Sequence, residues 1–348
     1  MSRKSNITFM QVINEALDQA MAKDDRVFLM GEDLAGGATV KHLAEANQDA
    51  WGGVFGVTKG LMPKYGRQRV IDTPISEMSY MGAAVGAAVT GLRPVPELMF
   101  NDFIGYCLDT ILAQGSKMRY MFGGKASMPL TVRTTHGAGA NAAAQHSGSY
   151  YGLLGAIPGV KVVVPTTPYD AKGLLLAAIE DNNIVVFSED KTLYGVKGPV
   201  PEEYYTVPIG KAQIKRAGTD LTIVAIGKMV FVAQAVADQL AKEGVEAEVI
   251  DLVTVAPWDQ ATVLQSVQKT GRLIIIDEAQ PHNNTATDIA AVVADQAFDY
   301  LDGPVKRITA PNTPVPFATN LEQLYLPSAQ SVLTEAQEII TDLKPIKA

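Results

Sequence analysis

The sequence predicts an α/β protein of two domains, each a layered structure built on a mostly parallel sheet. Three observations carry this expectation. The chain has 348 residues, too many for one ordinary domain and suited to two. Short apolar runs alternate with stretches of helical spacing along most of its length. A Pro- and Gly-rich segment, YGVKGPVPEEYYTVP at 194–208, interrupts that alternation and reads as a linker. The expected division is therefore a domain at 1–195, a linker at 196–208 and a second domain at 209–348.

In chain order, Thr8 is placed to cap a helix reaching Met21, in which Ile13, Ala16, Leu17 and Ala20 recur at helical spacing. VFLM at 27–30 reads as a buried strand ending at Gly31-Glu32-Asp33, and acidic residues beyond a strand's carboxyl end sit where open α/β sheets place ligand groups. The glycine-rich 35–63 reads as an irregular loop. Val70-Ile71 is a short apolar run that turns at Asp72-Thr73-Pro74. The Gly- and Ala-rich run that follows is too long for a strand and reads as a buried helix, with Glu77 in its first turn beside Ile75, Met78 and Met81. Strands are expected at 95–100, 129–134, 160–164 and 184–187, with Asn101–Tyr106 leading into a helix to about Tyr120 and another helix at 170–181. Beyond the linker, strands at 221–226, 246–253, 272–277 and 305–309 alternate with helices at 230–243, 259–269 and 287–300. PNTPVPF stops regular structure, and a helix at 328–343 closes the chain.

Composition narrows the function classes. Apolar residues make up 47% and charged residues 19%, a globular balance with material for real cores. The formal net charge of −8, without any Lys/Arg cluster, argues against nucleic acid and anionic membranes as partners. A single cysteine, Cys107, rules out an internal disulfide framework and suggests a reducing compartment. MSRKSNITF lacks the apolar core of a signal peptide and no apolar run spans a bilayer, so a cytoplasmic protein is expected. No His or carboxylate pair has zinc or two-metal spacing, and GxSxG, Walker A and GxGxxG patterns are absent.

What remains is a candidate site at Glu77, Phe103 and His146. A carboxylate beside apolar surface costs free energy unless it finds a partner, so Glu77 is either a helix-terminus group or a chemically used carboxyl at a subunit interface. Phe103 is core or a face on which a flat ring stacks. HGAGANAAAQHSG at 136–148 has no large apolar side chain and cannot build a core, yet it carries His136 and His146. Of these, His146 is the preferred acid/base candidate. Small-residue surfaces behind Glu77 point to an oligomer.

The segments DTPISEM, GLRPVPELMFNDF, AAQHS, PYDAKGLLLAAIEDNN and IDLVTVAPWD, in this order and covering most of the chain, resemble the β subunit of the thiamine-diphosphate-dependent E1 component of 2-oxoacid and acetoin dehydrogenase complexes. GEDLAGG, AWGGVFGVTKGL, RYMFGGKA and KRITAPNTPVPF resemble the acetoin dehydrogenase branch. The resemblance implies two three-layer α/β domains, a transketolase-like pyrimidine-binding domain and a transketolase C-terminal domain. It implies that Glu77 bonds N1′ of the cofactor's aminopyrimidine, that Phe103 stacks on that ring, and that Ile75 and Met99 line the pocket. It further implies that His146 faces the reacting carbon as acid/base, that Glu32 is an acidic residue in the polar tunnel joining paired active sites, and that Leu130, Ala178, Asp181 and Asn183 hold a structural potassium ion. The GDG pattern of the diphosphate–magnesium site is absent, which such proteins place on an α subunit. An α2β2 heterotetramer follows, serving a lipoyl-bearing E2 acyltransferase with acetoin as substrate. A pyruvate or branched-chain 2-oxoacid E1 β subunit, a stand-alone transketolase-like transferase and a non-catalytic assembly subunit remain as alternatives at this point.

Overall fold

A computed structural model describes residues 3–36 and 51–341. The part of the expected loop at 37–50 lies outside the described residues. The chain forms two compact units, one of Met1–His136 with Leu154–Ile209, the other of Gly137–Leu153 with Gly210–Ala348.

The first unit opens with β1 (Arg3–Thr8) and a helix, Phe9–Lys23. Thr8 caps that helix in a capping box, its side chain accepting from the Gln11 N–H at 3.2 Å while its own N–H donates to Gln11 Oε1 at 3.0 Å. The strands β2 (Val27–Gly31), β3 (Val70–Asp72), β4 (Arg93–Phe100), β5 (Thr131–His136), β6 (Val160–Val163) and β7 (Ile184–Asp190) follow. They align in the order β6-β7-β5-β4-β2-β3 and every pair is parallel. Parallel strands are covered on both faces, so β5 and β7 are buried along their whole length.

Three local expectations are corrected. The segment read as a linker carries β8 (Lys197–Pro201), paired antiparallel with β1; its prolines are tolerated because a two-stranded ribbon has open edges. In place of Asn101–Tyr106 and one helix to about Tyr120 stand a 3₁₀ turn, Asn101–Phe103, an α turn, Ile104–Leu108, a π-helical stretch, Asp109–Gly115, and an α segment, Ser116–Met121. Gly115 is where it presses on the sheet, since a Cβ there would lie 2.4 Å from Ile184 Cδ1. The helix Glu77–Val89 is only half buried: Tyr80, Met81, Ala84, Val85 and Ala88 face the sheet, while Met78, Ala83, Gly86 and Val89 face outward.

In the second unit β9 (Gln213–Arg216), β10 (Leu221–Ala225), β11 (Ala247–Asp251), a short β12 (Thr254–Ala256), β13 (Leu273–Ile276) and β14 (Lys306–Ile308) follow in sequence. The sheet order is β14-β13-β10-β11-β9, parallel except for β9. The unbroken apolar run of β13 is fully buried, and the helices Met229–Lys242 and Ala329–Thr341 close one core against β10, β11 and β13. A helix at Thr319–Tyr325, not foreseen, follows PNTPVPF and precedes the closing helix. Among the described residues no helix is long and apolar enough to cross a membrane.

Candidate functional site

The first unit gathers carboxylates at the carboxyl ends of β2 and β4. Glu32 follows β2, Glu97 lies within β4, and Glu77 opens the helix after β3. Ser76 makes no side-chain cap, its hydroxyl donating to Ser79 Oγ at 2.8 Å, while the Ser79 and Tyr80 N–H groups donate to its carbonyl at 3.0 and 3.2 Å. The Glu77 side chain is half-buried, and among the described residues neither its carboxylate nor that of Glu32 has a hydrogen-bond partner. Ile75 is 85% exposed and Met78 60% exposed, so apolar surface stands open beside the acid.

Glu32 is buried, and that burial pushes its carboxyl up to about 7, with the charges of Glu77, Asp33 and Glu97 adding to the effect. Two carboxyls in mutual repulsion, one able to stay protonated at neutral pH, form a pair that can hold or pass a proton. Burial likewise raises the Tyr80 phenol, whose OH donates to the Glu97 carbonyl at 3.1 Å. Burial also pushes the Cys107 thiol up to about 12, with Glu77 adding, so this cysteine is a neutral packing group and not a nucleophile.

Since the Glu32 carboxyl binds a proton more tightly folded than unfolded, wild-type stability falls relative to Glu32→Gln as pH rises from about 4.5 to about 7. The variant is expected to melt higher than wild type at pH 8, with the gap closing towards pH 4. A gap independent of pH would contradict this environment.

Beneath this pair lies a buried charge network that sequence reasoning missed. Arg133 on β5 donates to Glu97 Oε2 at 2.6 Å through Nη1, and to both Glu189 oxygens at 2.8 and 2.9 Å through Nε and Nη2. Tyr194 Oη donates to Glu189 at 2.7 Å. Gly53 passes so close, at φ +78°, that a Cβ there would sit 2.9 Å from Glu97 Oε1. The available signal was a lone charge inside each of two apolar strands, PVPELMF and PLTVRT.

Phe103 is half-buried and packs edge-on against Phe100, ring centroids 5.6 Å apart; Met99 is half-buried beside it, its carbonyl accepting from Thr135 Oγ1. Glu32, Glu77, Met99 and Phe103, with Ile75, thus all lie in the first unit. His146 lies on Gly137–Leu153, which belongs to the second unit. His136 is buried and takes a structural part, with Nδ1 2.8 Å from Ser188 Oγ and its carbonyl accepting from Lys191 at 2.9 Å.

Leu130 precedes β5, while Ala178, Asp181 and Asn183 lead into β7, its neighbour in the sheet. Burial raises the Asp181 carboxyl, but bonds from Lys161 and Asn183 outweigh it and hold the group below its usual range. Asn183 Oδ1 in turn accepts from Arg119 at 3.0 Å. The Leu130 and Ala178 carbonyls also accept within the chain, from the Val185 N–H at 2.9 Å and the Asp181 N–H at 3.2 Å.

Residues 5–197 match the family model of the transketolase pyrimidine binding domain and residues 210–332 that of the transketolase C-terminal domain. A split gene transketolase described as an inactive beta4 tetramer overlays with a TM-score of 0.72 at 20% identity, covering 97% of this chain and 99% of that one, a likeness of fold. The chain is 60% identical to the acetoin:2,6-dichlorophenolindophenol oxidoreductase subunit beta of Bacillus subtilis, over 96% of this chain and 97% of that one. It is 41% identical to the pyruvate dehydrogenase E1 component subunit beta of the same organism, over 97% and 99%. The chain belongs to the family of E1-type β subunits built from these two transketolase domains.

Proposed function

We propose that this chain is the β subunit of a cytoplasmic acetoin dehydrogenase E1, active with an α subunit in an α2β2 assembly and delivering the two-carbon unit of acetoin to a lipoyl-bearing E2. The observation that carries the substrate is the identity of 60% to the acetoin oxidoreductase subunit against 41% to the pyruvate dehydrogenase subunit, at near-equal coverage.

The residues of the first unit fit the pyrimidine end of thiamine diphosphate. A half-buried carboxylate at a helix start, without a hydrogen-bond partner among the described residues and with open apolar side chains beside it, suits a flat heterocycle bearing a basic nitrogen. Thiamine diphosphate, when bound, supplies the nucleophilic carbon that attacks a carbonyl. Glu77 would hold the proton shared with N1′ of the aminopyrimidine, while Phe103, Met99 and Ile75 orient that ring and keep water from competing. Glu32, its carboxyl raised to about 7 and so able to hold or release a proton near neutral pH, would belong to the polar tunnel joining paired sites. His146 would act as acid/base toward the substrate carbonyl. The chain contains no GDG sequence, so the diphosphate and its magnesium are assigned to the α subunit. Potassium, if held at Leu130, Ala178, Asp181 and Asn183, takes no part in these steps.

Purified chain combined with its α subunit should reduce dichlorophenolindophenol with acetoin and far more slowly with pyruvate or branched-chain 2-oxoacids. Preference for a 2-oxoacid would overturn the substrate, and turnover by the chain alone would overturn the division of labour.

A further inference from the structure

The segment that carries His146 is held in an unusual backbone conformation, and the second unit supplies what holds it. Gly137 and Gly139 have φ of +94° and +101°, and two residues with side chains, Asn141 and Ala143, have φ of +53° and +60°. Left-handed backbone at a residue bearing a Cβ persists only where surrounding contacts over-determine it. Here they do. Glu322, 3% exposed on the helix Thr319–Tyr325, receives the Gly139 N–H on Oε1 at 2.8 Å and the Asn141 N–H on Oε2 at 3.0 Å. Asn141 Nδ2 donates in return to the Phe317 carbonyl at 3.1 Å and to Thr319 Oγ1 at 3.0 Å. Lys228 Nζ donates to the Ala138 carbonyl, and Ala138 itself packs with Ala310, Val315 and Tyr325.

We propose that Glu322 is a positioning residue for the reaction: its carboxylate clamps two amides of the loop and thereby fixes where His146 stands. A buried carboxylate spent on two backbone N–H groups, with both oxygens used, is a charge-assisted clamp, and its loss frees a segment whose conformation is not self-sustaining. His146 begins only a few residues beyond, its N–H directed to the Ala143 carbonyl at 3.5 Å. The inference rests on the acid/base reading of His146 given above.

The test uses the assembled αβ enzyme with Glu322→Ala, Glu322→Gln, His146→Ala and the Glu322→Ala/His146→Ala double variant. Glu322→Ala should lower kcat for acetoin by about 10- to 100-fold, the scale of a displaced catalytic group. Glu322→Gln, which keeps the volume and one acceptor, should fall between it and wild type and serves if the alanine variant fails to fold. The double variant should be no slower than His146→Ala, because Glu322 acts through that histidine. Deuterium uptake at 137–143 should accelerate in Glu322→Ala without a general rise across the second unit. An inactive His146→Ala with an unaffected Glu322→Ala, or a Glu322→Ala loss of equal size with and without His146, overturns this inference alone. A fully active His146→Ala overturns the role of His146 and this inference with it, whereas unchanged uptake removes the clamp whatever the kinetics.

Discussion

Glu77→Gln is expected to lower kcat of the assembled enzyme by about 10²–10³-fold, within the range of a lost general acid–base contribution. The substitution preserves volume and the helix start but removes the group that shares a proton with the aminopyrimidine. A charge-assisted bond contributes about 1.5–3 kcal/mol net, so thiamine diphosphate affinity should weaken by a smaller factor than the rate. Stability should change little, because Glu77 is half-buried and makes no hydrogen bond with the described residues. Acetoin-dependent dye reduction, read beside cofactor titration, checks both arms. An unchanged kcat would return the pocket to the status of an assembly surface.

The second large effect concerns folding. Arg133→Ala should destabilise the first unit by about 3–5 kcal/mol, the cost of stranding buried charge by removing its partner. The arginine is buried between Glu97 and Glu189, and its loss leaves two carboxylates on β4 and β7 facing each other across β5. Burial already pushes the Glu97 carboxyl up, with Arg133 opposing and Glu189 adding, so Glu97 takes up a proton readily once the arginine is gone. The deficit should therefore shrink as pH falls, since only the charged forms are penalised. Urea unfolding of wild type and variant at pH 5 and pH 8 checks this. A small and pH-independent loss would mean that the three charges do not form one unit.

Local chemistry was legible where it is decided within a few residues. Thr8 announced its helix, and the apolar run of β13 announced a strand buried on both faces. The motif around Glu77 singled it out as a candidate, and the apolar surface expected beside it proves open at Ile75 and Met78. The Arg133 network was not legible, because its members come from β4, β5 and β7. Only the sheet register, which sets Glu97 opposite Arg133, brings them together. Glu322 was hidden for the same reason, with its targets Gly139 and Asn141 lying far upstream. β8 was missed because Pro and Gly signal irregularity, yet an edge ribbon accepts both.

The chain enters its second unit at Gly137, leaves after Leu153 and returns at Gly210. A gene cut at the apparent boundary near 209 would therefore not yield two self-sufficient modules: the amino-terminal fragment would inherit the histidine loop but forfeit the glutamate that shapes it. Chimeras between relatives inherit the same constraint, and swaps that transplant the carboxyl-terminal half alone should mismatch donor and recipient at that loop.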